Sequence, residues 1–536
     1  MTAAKLPVLV VGAGPVGLTA ANLLAVRGVP VILVERNATT SDEAKAISLD
    51  DESLRTLQSA GLAEQVLEIV VPGTGTRYYD RKNRPLFHAR GPQPYRFGYP
   101  FKNQFAQPEL EQVLLAGLRA RPNVEVRFRA ELTALEQDAA GVRAVVDGQV
   151  VAAEWVLGCD GGRSTVRELH GNDMTGTSHQ DVWLVADTLE DTHDERYAMH
   201  HGTPLRPTVV VPGRGGRCRY EFLLRSGEGE KGSPEFATLQ KVLAPWREIT
   251  PEQVERSTNY TFNAVVADRW REDRCFLLGD AAHMMPPFAG QGLNSGIRDA
   301  ANLCWKIAEV WHGRARDRLL DTYQAERFEH AKATVEFSRR LGRIVMTTDP
   351  RRAMARDLVL RTMLLTGPGR RYLEQMRFRP RAVHREGLVL AAADGDPASA
   401  LVGTLLPQPR VLAAPDLRSH LLDDVLGEGF ALLGVDVPAS AWAGLELGGL
   451  VGEDGPVRAV DVVLDDRLPR PAPERRAIAD ADGNLQAALD AARGRFVLVK
   501  PDRYIAAAVT PRELGLVEDL MRLYLAHPAP VAATAR

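Results

Sequence analysis

Hydrophobic and polar positions follow three patterns along the chain. Near the N-terminus, the apolar runs at 8–11 and 29–35 flank a segment, 18–28, with apolar residues at helical spacing. Continuous β-branched runs of this kind are typical of buried parallel strands. From about 172 to 272, apolar and polar residues alternate, which predicts an antiparallel sheet. Helical spacing returns over 277–380.

The composition describes an ordinary globular chain of several domains. At 536 residues it is too long for one hydrophobic core, so two or three domains are expected. The net charge of -3 indicates neither nucleic acid nor an anionic membrane as a partner. Four scattered cysteines without a CxxC pair argue against a disulfide framework and against a metal site. The sequence shows no signal peptide and no apolar run of about 18 residues, so we expect a cytoplasmic protein.

The first motif of chemical interest is the glycine-rich turn GAGPVG after the first apolar run. Gly12 permits a tight turn, Gly14 leaves room for a pyrophosphate, and Gly17 lets the next helix pack against the strand. Glu35 ends the second apolar run, where a carboxylate can accept hydrogen bonds from ribose hydroxyls. This pattern predicts a dinucleotide site, and FAD and NAD both fit it.

Two further strands are predicted to end on an aspartate beside glycine. Asp160 is followed by two glycines and by Ser164, a candidate helix N-cap. Asp280 opens the segment 280–296, in which two prolines prevent helix and the glycines allow backbone to approach a flat ring. A long helix follows, whose first N–H groups would face the ligand.

With these motifs the chain resembles the FAD-dependent aromatic hydroxylases of the p-hydroxybenzoate hydroxylase-like group. Their GxGxxG, DG and GD fingerprints occur here in the same order, and GDAAHMMPPFAGQGLNSGIRDAANLCWK at 279–306 is the most specific match. The segments at 50–62 and 374–380 are similar to those of the 3-(3-hydroxyphenyl)propionate hydroxylase subgroup. The resemblance extends over most of the chain.

The resemblance implies an α/β fold with three domains. A discontinuous Rossmann-like FAD-binding domain would comprise 1–171 and 273–385, and an antiparallel sheet for the substrate 172–272. A thioredoxin-like domain would cover 386–525, followed by a flexible tail at 526–536. The C-terminal domain carries no CxxC, so we expect it to serve in packing or in oligomer contact, which leaves a homodimer open.

The resemblance also assigns residues to sites. Pro286 would lie beside the isoalloxazine, and 290–294 would face its pyrimidine edge. Lys45 stands where the family often has arginine; it lacks the planar fork, which leaves the choice of NADH or NADPH open. The substrate candidates are Arg206, Arg219 and Tyr220, and no metal ligands are expected. The cofactor candidates are Gly12, Gly14, Pro15, Val16, Gly17, Glu35, Arg36, Lys45, Gln107, Asp160, Gly279, Asp280, Pro286, Gly290, Gly292, Leu293 and Asn294.

The activity implied is hydroxylation of a phenol, ortho or para to its hydroxyl, through a flavin C4a-hydroperoxide, with NADH or NADPH as electron donor and O2 as co-substrate. The substrate would resemble 3-(3-hydroxyphenyl)propionate. Two alternatives stay open: a hydroxylase of larger polycyclic phenols, and a flavin-binding scaffold without turnover. The sequence does not identify the group that deprotonates the phenol.

Overall fold

A computed structural model provides the three-dimensional structure of the chain. It describes residues 5–41, 45–73, 75–92, 95–225, 227–229, 232, 234–391, 395–442, 457–464 and 475–526. The predicted tail beyond Ala526 lies outside the described residues.

A six-stranded sheet forms the centre of the first domain. Its strands, in spatial order, are Arg271–Glu272, Cys275–Leu277, Trp155–Gly158, Val8–Val11, Val31–Glu35 and Val124–Phe128. All neighbours pair in parallel except the first two. Because the runs at 8–11 and 31–34 are buried on both faces, they need no polar alternation. The predicted parallel strands are therefore confirmed.

Helices cover this sheet, and two smaller sheets complete the domain. The helices are Pro15–Val26, Asp51–Ser59, Ala63–Ile69, Gln107–Arg119, Thr165–Leu169, Gly292–Trp311, Arg318–Val345, Pro350–Leu364 and Gly367–Glu374. The smaller sheets pair Ser48–Asp50 with Lys102–Gln104, and Leu132–Asp138, Gly141–Val146 and Gln149–Ala153 with one another. Short 3-10 turns lie at Pro251–Gln253, Gly279–Ala281, Pro287–Ala289, Pro397–Leu401, Asp490–Ala492 and Pro511–Glu513.

The second sheet has eight strands and one helix on its outer face, Phe236–Leu243. Its order is His283–Met284, Val254–Ala267, Met174–Thr188, Cys218–Leu223, Thr208–Pro212, Ala198–His201, Thr76–Tyr79 and Pro85–Ala89. It is antiparallel, as predicted, except where Ala198–His201 pairs with Thr76–Tyr79. The sheet extends beyond the predicted range 172–272, because short strands from 76–89 and 283–284 join it through pairings distant in sequence.

The C-terminal domain contains a mixed seven-stranded sheet. Its order is Arg418–Leu421, Arg410–Ala413, Arg476–Asp480, Val457–Val463, Phe430–Val435, Arg495–Val499 and Ile505–Val509. Its helices are Leu422–Leu426, Ala439–Trp442, Asn484–Leu489 and Leu514–Tyr524. Together the three domains confirm the predicted fold class. Of the helices in the described part of the chain, none has the length and apolar content that a membrane crossing requires.

The C-terminal domain packs on the first domain through apolar and charged contacts. Trp305 lies edge-on to Phe430 with ring centroids 5.4 Å apart, within one hydrophobic cluster. Beside it, the buried guanidinium of Arg55 forms two hydrogen bonds of 2.7 Å to Asp423. The C-terminal domain is therefore joined to the first domain by both kinds of contact.

Candidate active site

One cavity of about 690 Å³ joins the glycine-rich turn to the inner face of the eight-stranded sheet. This volume is in the range of sites for small molecules and cofactors. The cavity begins at the carboxyl ends of the parallel strands, where ligands bind in open α/β sheets. All predicted cofactor residues line it except Gly17, Gly279, Pro286 and Asn294.

The three glycines of the first turn meet different surroundings. Gly12 has φ 107°, and a Cβ there would lie 2.6 Å from the carbonyl oxygen of Cys159. A Cβ at Gly17 would lie 2.0 Å from the carbonyl oxygen of Gly12, so Gly17 is required for packing. A Cβ at Gly14 would meet nothing within 4 Å and would project into open space. The turn thus leaves room beside a helix N-terminus, which fits a diphosphate.

Glu35 closes the turn from the neighbouring strand. Its Oε2 accepts a hydrogen bond of 2.9 Å from the backbone N–H of Ala13. Its Oε1 accepts two more from Asn37, at 2.9 Å from the backbone and 2.7 Å from the side chain. The carboxylate lines the cavity beside Arg36. The ribose-binding role of Glu35 stays a prediction.

Gln107 and Glu111 form a polar pair one helical turn apart. Gln107 accepts a 2.8 Å hydrogen bond from the backbone N–H of Ala46 and donates one of 2.8 Å to Glu111. Burial raises the pKa of Glu111 to about 7. The sequence analysis missed Glu111, although its position four residues after Gln107 on a helix places both on one face.

Asp160 uses both carboxylate oxygens within its own segment. It accepts a 2.6 Å hydrogen bond from the Ser164 hydroxyl and one of 3.1 Å from the Val166 N–H. Ser164 in turn accepts from the Arg167 N–H, so the predicted N-cap is confirmed. Burial raises the pKa of the Asp160 carboxyl. The DG motif therefore shapes the cavity wall by fixing a helix start.

Asp280 faces the cavity directly, where solvent reaches its side chain. The enclosing protein raises the pKa of its carboxyl, while His283 and Lys45 act to lower that pKa. His283 itself is fully buried and contacts Asp299 at 2.8 Å, not a ligand. Asp299 also accepts a 3.1 Å hydrogen bond from the Gly279 N–H. This buried pair holds the strand end that presents Asp280.

The proline-glycine segment supplies backbone to the cavity. Pro287 lines it, whereas Pro286, the predicted neighbour of the isoalloxazine, does not. Gly290 has φ 60°, and a Cβ there would lie 2.6 Å from the Ser48 hydroxyl. Gly292 and Leu293 open the helix Gly292–Trp311 and line the same wall.

The Asn294 side chain makes its hydrogen bonds within the protein, while the role predicted for the backbone of 290–294 at the pyrimidine edge stays a prediction. Its Oδ1 accepts from the Asp50 N–H at 2.9 Å and from the Ser53 hydroxyl at 2.7 Å. Its Nδ2 donates to the carbonyls of Ser48 at 3.0 Å and Gly290 at 2.7 Å. The amide is fully buried and is hydrogen-bonded within the protein. It links the start of the helix Gly292–Trp311 to the strand Ser48–Asp50.

The far wall of the cavity is one row across four neighbouring strands. His200 pairs with Val209, Val209 with Glu221, and Glu221 with Val185. All four side chains line the cavity, because directly paired residues share one face of a sheet. The wall therefore offers two ionisable groups that alternate with two apolar ones.

The three predicted substrate residues lie in different places. Arg219 lines the cavity, but Asp187 accepts hydrogen bonds of 2.7 and 2.9 Å from its guanidinium. Tyr220 lies on the opposite face by strand alternation, and its hydroxyl donates to Asp191 at 2.9 Å. The substrate role predicted for Tyr220 does not fit that position.

Arg206 also lies away from the cavity lining. It pairs with Glu228 through hydrogen bonds of 2.8 and 2.7 Å. Because this bidentate pair occupies both of its terminal nitrogens, Arg206 is not available to pair with a substrate carboxylate in this structure.

Lys102, His200 and Glu221 also line the cavity and were not among the predicted site residues. Burial lowers the pKa of His200 well below its ordinary value, with Lys102 and His201 acting in the same direction. Burial raises the pKa of Glu221, against the opposing effect of Arg219. The strand register shows which residues of the sheet face inward, and a local sequence pattern does not.

Sequence comparison agrees with this geometry. Residues 5–338 match the FAD binding domain family, and residues 403–522 match the HcaD C-terminal domain family. Because the first match covers more than half of the chain, the protein is an FAD-binding flavoprotein.

Proteins similar in sequence indicate which class of flavoprotein this is. A 3-(3-hydroxy-phenyl)propionate/3-hydroxycinnamic acid hydroxylase from Mycobacterium sp. (strain KMS) is 39% identical, over 94% of this chain and 88% of its own. The enzyme of that name from Escherichia coli O8 (strain IAI1) is 36% identical, over 95% and 92%. The flavin-dependent monooxygenase PieE, solved with FAD and substrate, shares the fold, with TM-score 0.76 and 21% identity over 98% and 99%. This chain belongs to the FAD-dependent aromatic hydroxylase family.

Proposed function

We propose that the protein hydroxylates a small phenolic acid of the 3-(3-hydroxyphenyl)propionate class, ortho or para to its hydroxyl, with O2 and NADH or NADPH. The names of the relatives at 36% and 39% identity support this substrate class. A cytoplasmic location and a homodimer remain predictions.

The observation that carries the proposal is the continuity of the cavity. One end is the side-chain-free turn at Gly14, and the other is the row from His200 to Val185. A cofactor bound along the turn would therefore meet an aromatic ring held against the sheet. When bound and reduced, FAD supplies the activation of O2 that no side chain provides.

The chain's own residues would bind, orient and exclude water. Gly14, Glu35 and Asp280 border the space for the cofactor's diphosphate and sugars. Phe262 and Phe288 line the substrate end and pack edge to face, with centroids 5.8 Å apart. Such an apolar border keeps water from the reacting atoms, which protects a reactive oxygen species from unproductive decay.

The test is a panel of phenols given to the purified holoenzyme. It contains 3-(3-hydroxyphenyl)propionate, its neutral amide, the acid without the hydroxyl, and a polycyclic phenol. We expect the phenolic acid to accelerate oxidation of NADH or NADPH and to gain one oxygen atom, measured by mass spectrometry. The acid without the hydroxyl should gain none.

Three results would count against the proposal. A colourless protein would exclude bound flavin. A yellow protein whose NADH and NADPH oxidation no phenol stimulates would be a scaffold without turnover. Preferential hydroxylation of the polycyclic phenol would move the substrate class to larger ring systems.

A further inference from the structure

Lys102 is a buried lysine in the wall of the cavity. It opens the strand Lys102–Gln104, is 8% exposed, and donates one hydrogen bond of 2.9 Å to the Thr76 hydroxyl. Among the described residues, no carboxylate lies within 4.0 Å of its Nζ. The hydrogen bond to Thr76 uses one position on Nζ, and the other positions are left for a ligand in the cavity that Lys102 lines.

The charged surroundings of Lys102 come from three elements. Glu221 on the eight-stranded sheet acts to raise its pKa, while Arg379, after the helix Gly367–Glu374, acts to lower it. Lys102 in turn acts to lower the pKa of His200, on the strand Ala198–His201 of the same eight-stranded sheet. None of these groups is a close counter-ion of Lys102. The lysine lies next to the row from His200 to Val185, which faces the substrate end of the cavity.

The position of Lys102 relative to the glycine segment is also fixed. A Cβ built at Gly290 would lie 4.0 Å from the Lys102 Cε. Gly290 belongs to the segment that lies between the cofactor end and the helix Gly292–Trp311. Lys102 thus lies between the cofactor end and the substrate end of the cavity.

We propose that Lys102 is the catalytic residue that accepts the phenolic proton of the substrate. This inference rests on the proposed function, since it concerns a phenol bound in the same cavity. The phenolic O–H bond breaks, its electron pair stays on oxygen, and the proton joins the lone pair of neutral Nζ. The products of the step are a phenolate, whose ring is more electron-rich, and an ammonium group that pairs with it.

The titration of Lys102 suits this task. Burial lowers its pKa to about 7, so a large fraction of the amine is neutral near neutral pH. A phenol has an ordinary pKa of about 10 and does not ionise alone at that pH. In a dry cavity the ion pair stabilises both products of the proton transfer.

The experiment compares holoenzymes that carry Lys102, Lys102→Met or Lys102→Arg, with the exposed Lys241→Met as a control. Arginine keeps the positive charge but cannot serve as a base. Two quantities are measured at about pH 8.5, where an amine of pKa about 7 is mostly neutral. Ultraviolet difference spectra report bound phenolate, and a pH-indicator dye reports protons released on binding.

The expected pattern separates a base from a fixed charge. The Lys102 enzyme and Lys241→Met should form bound phenolate and release close to no proton, because Nζ takes it. Lys102→Arg should form phenolate but release about one proton per ligand. Lys102→Met should bind the neutral phenol and lose roughly 100-fold or more in hydroxylation rate.

Several outcomes would overturn the inference. One is release of about one proton per bound phenol by the unmodified enzyme. This result does not depend on whether any variant folds. Another is unchanged phenolate formation in Lys102→Met. A third is that Lys102→Met weakens binding of the acid but not of its neutral amide, which would make Lys102 a carboxylate site. In each case hydroxylation by the unmodified protein can persist, so the proposed function is tested separately.

Discussion

Gly14 and Gly17 stand three residues apart in one motif, yet the structure gives them different tasks. At Gly17 the neighbouring backbone excludes any side chain, whereas at Gly14 a Cβ would meet no protein atom within 4 Å and would take up space in the cavity. Replacing Gly17 should therefore impair folding, and replacing Gly14 should impair cofactor binding.

Gly17→Ala should lower the free energy of unfolding by about 1–3 kcal/mol, because its Cβ would lie 2.0 Å from the Gly12 carbonyl oxygen. Gly14→Ala should change stability of the FAD-free protein by about 1 kcal/mol or less. It should nevertheless bind FAD at least tenfold more weakly. Chemical denaturation and flavin titration measure the two effects, and equal behaviour of the variants would contradict this division.

Asp280→Ala should purify with little FAD. The carboxylate faces the cavity, and a hydrogen bond to a charged group contributes about 1.5–3 kcal/mol, or roughly 10- to 100-fold in Kd. The matched control is Asp194→Ala, which changes an exposed aspartate outside the cavity lining. Full flavin absorbance in Asp280→Ala would remove Asp280 from the cofactor site.

At the scale of elements, local patterns could be predicted and distant pairings could not. The turn at Gly12 and the N-cap at Ser164 depend on neighbours within a few residues. The inward face of Cys218–Leu223, with Arg219 inside and Tyr220 outside, depends on which side of the whole sheet borders the cavity, and alternation within the strand does not show that side. The partners of the Asn294 side chain near Ser48 could not be predicted either, since they come from another part of the chain.

The helix Gln107–Arg119 contains a pH-sensitive group. Glu111 has a pKa of about 7 in the folded chain, raised by burial from an ordinary 4.5. Between these values the folded state binds more protons than the unfolded state, so the contribution of Glu111 to stability falls as pH rises and is constant above about pH 7.

Glu111→Gln should remove this dependence. Between about pH 5 and about pH 8, the variant should lose less unfolding free energy than the unchanged protein, measured by urea denaturation of the FAD-free forms. Glu64→Gln, which changes an exposed glutamate on the helix Ala63–Ile69, serves as a control. Parallel pH profiles for the unchanged protein and Glu111→Gln would show that Glu111 titrates normally.

For the whole molecule, buried charges join the C-terminal domain to the first. Asp423 pairs with Arg55 across the boundary at 2.7 Å and with Arg503 of its own domain at 3.2 Å. Nearby, Glu326 pairs with Lys306 at 2.8 Å and with Lys500 at 2.9 Å. The sequence predicted a domain boundary near residue 386 but not these partners.

Asp423→Asn should destabilise the protein by about 3–5 kcal/mol, because it leaves Arg55 buried without its counter-ion. The adjacent Asp424→Asn changes an exposed residue and should stay within about 0.5 kcal/mol. Thermal unfolding and protease cleavage between the domains measure the difference. If both variants behave alike, the ion pair does not hold the domains together.

The two faces of the eight-stranded sheet serve separate purposes. Leu184, Val210 and Phe222 point outward into a hydrophobic cluster under the helix Phe236–Leu243. Val185 and Val209, one position away, point into the cavity. Evolution can therefore exchange the inward residues to accept a new aromatic compound while the outward residues keep the sheet folded. Substrate range in such a protein should diversify faster than architecture.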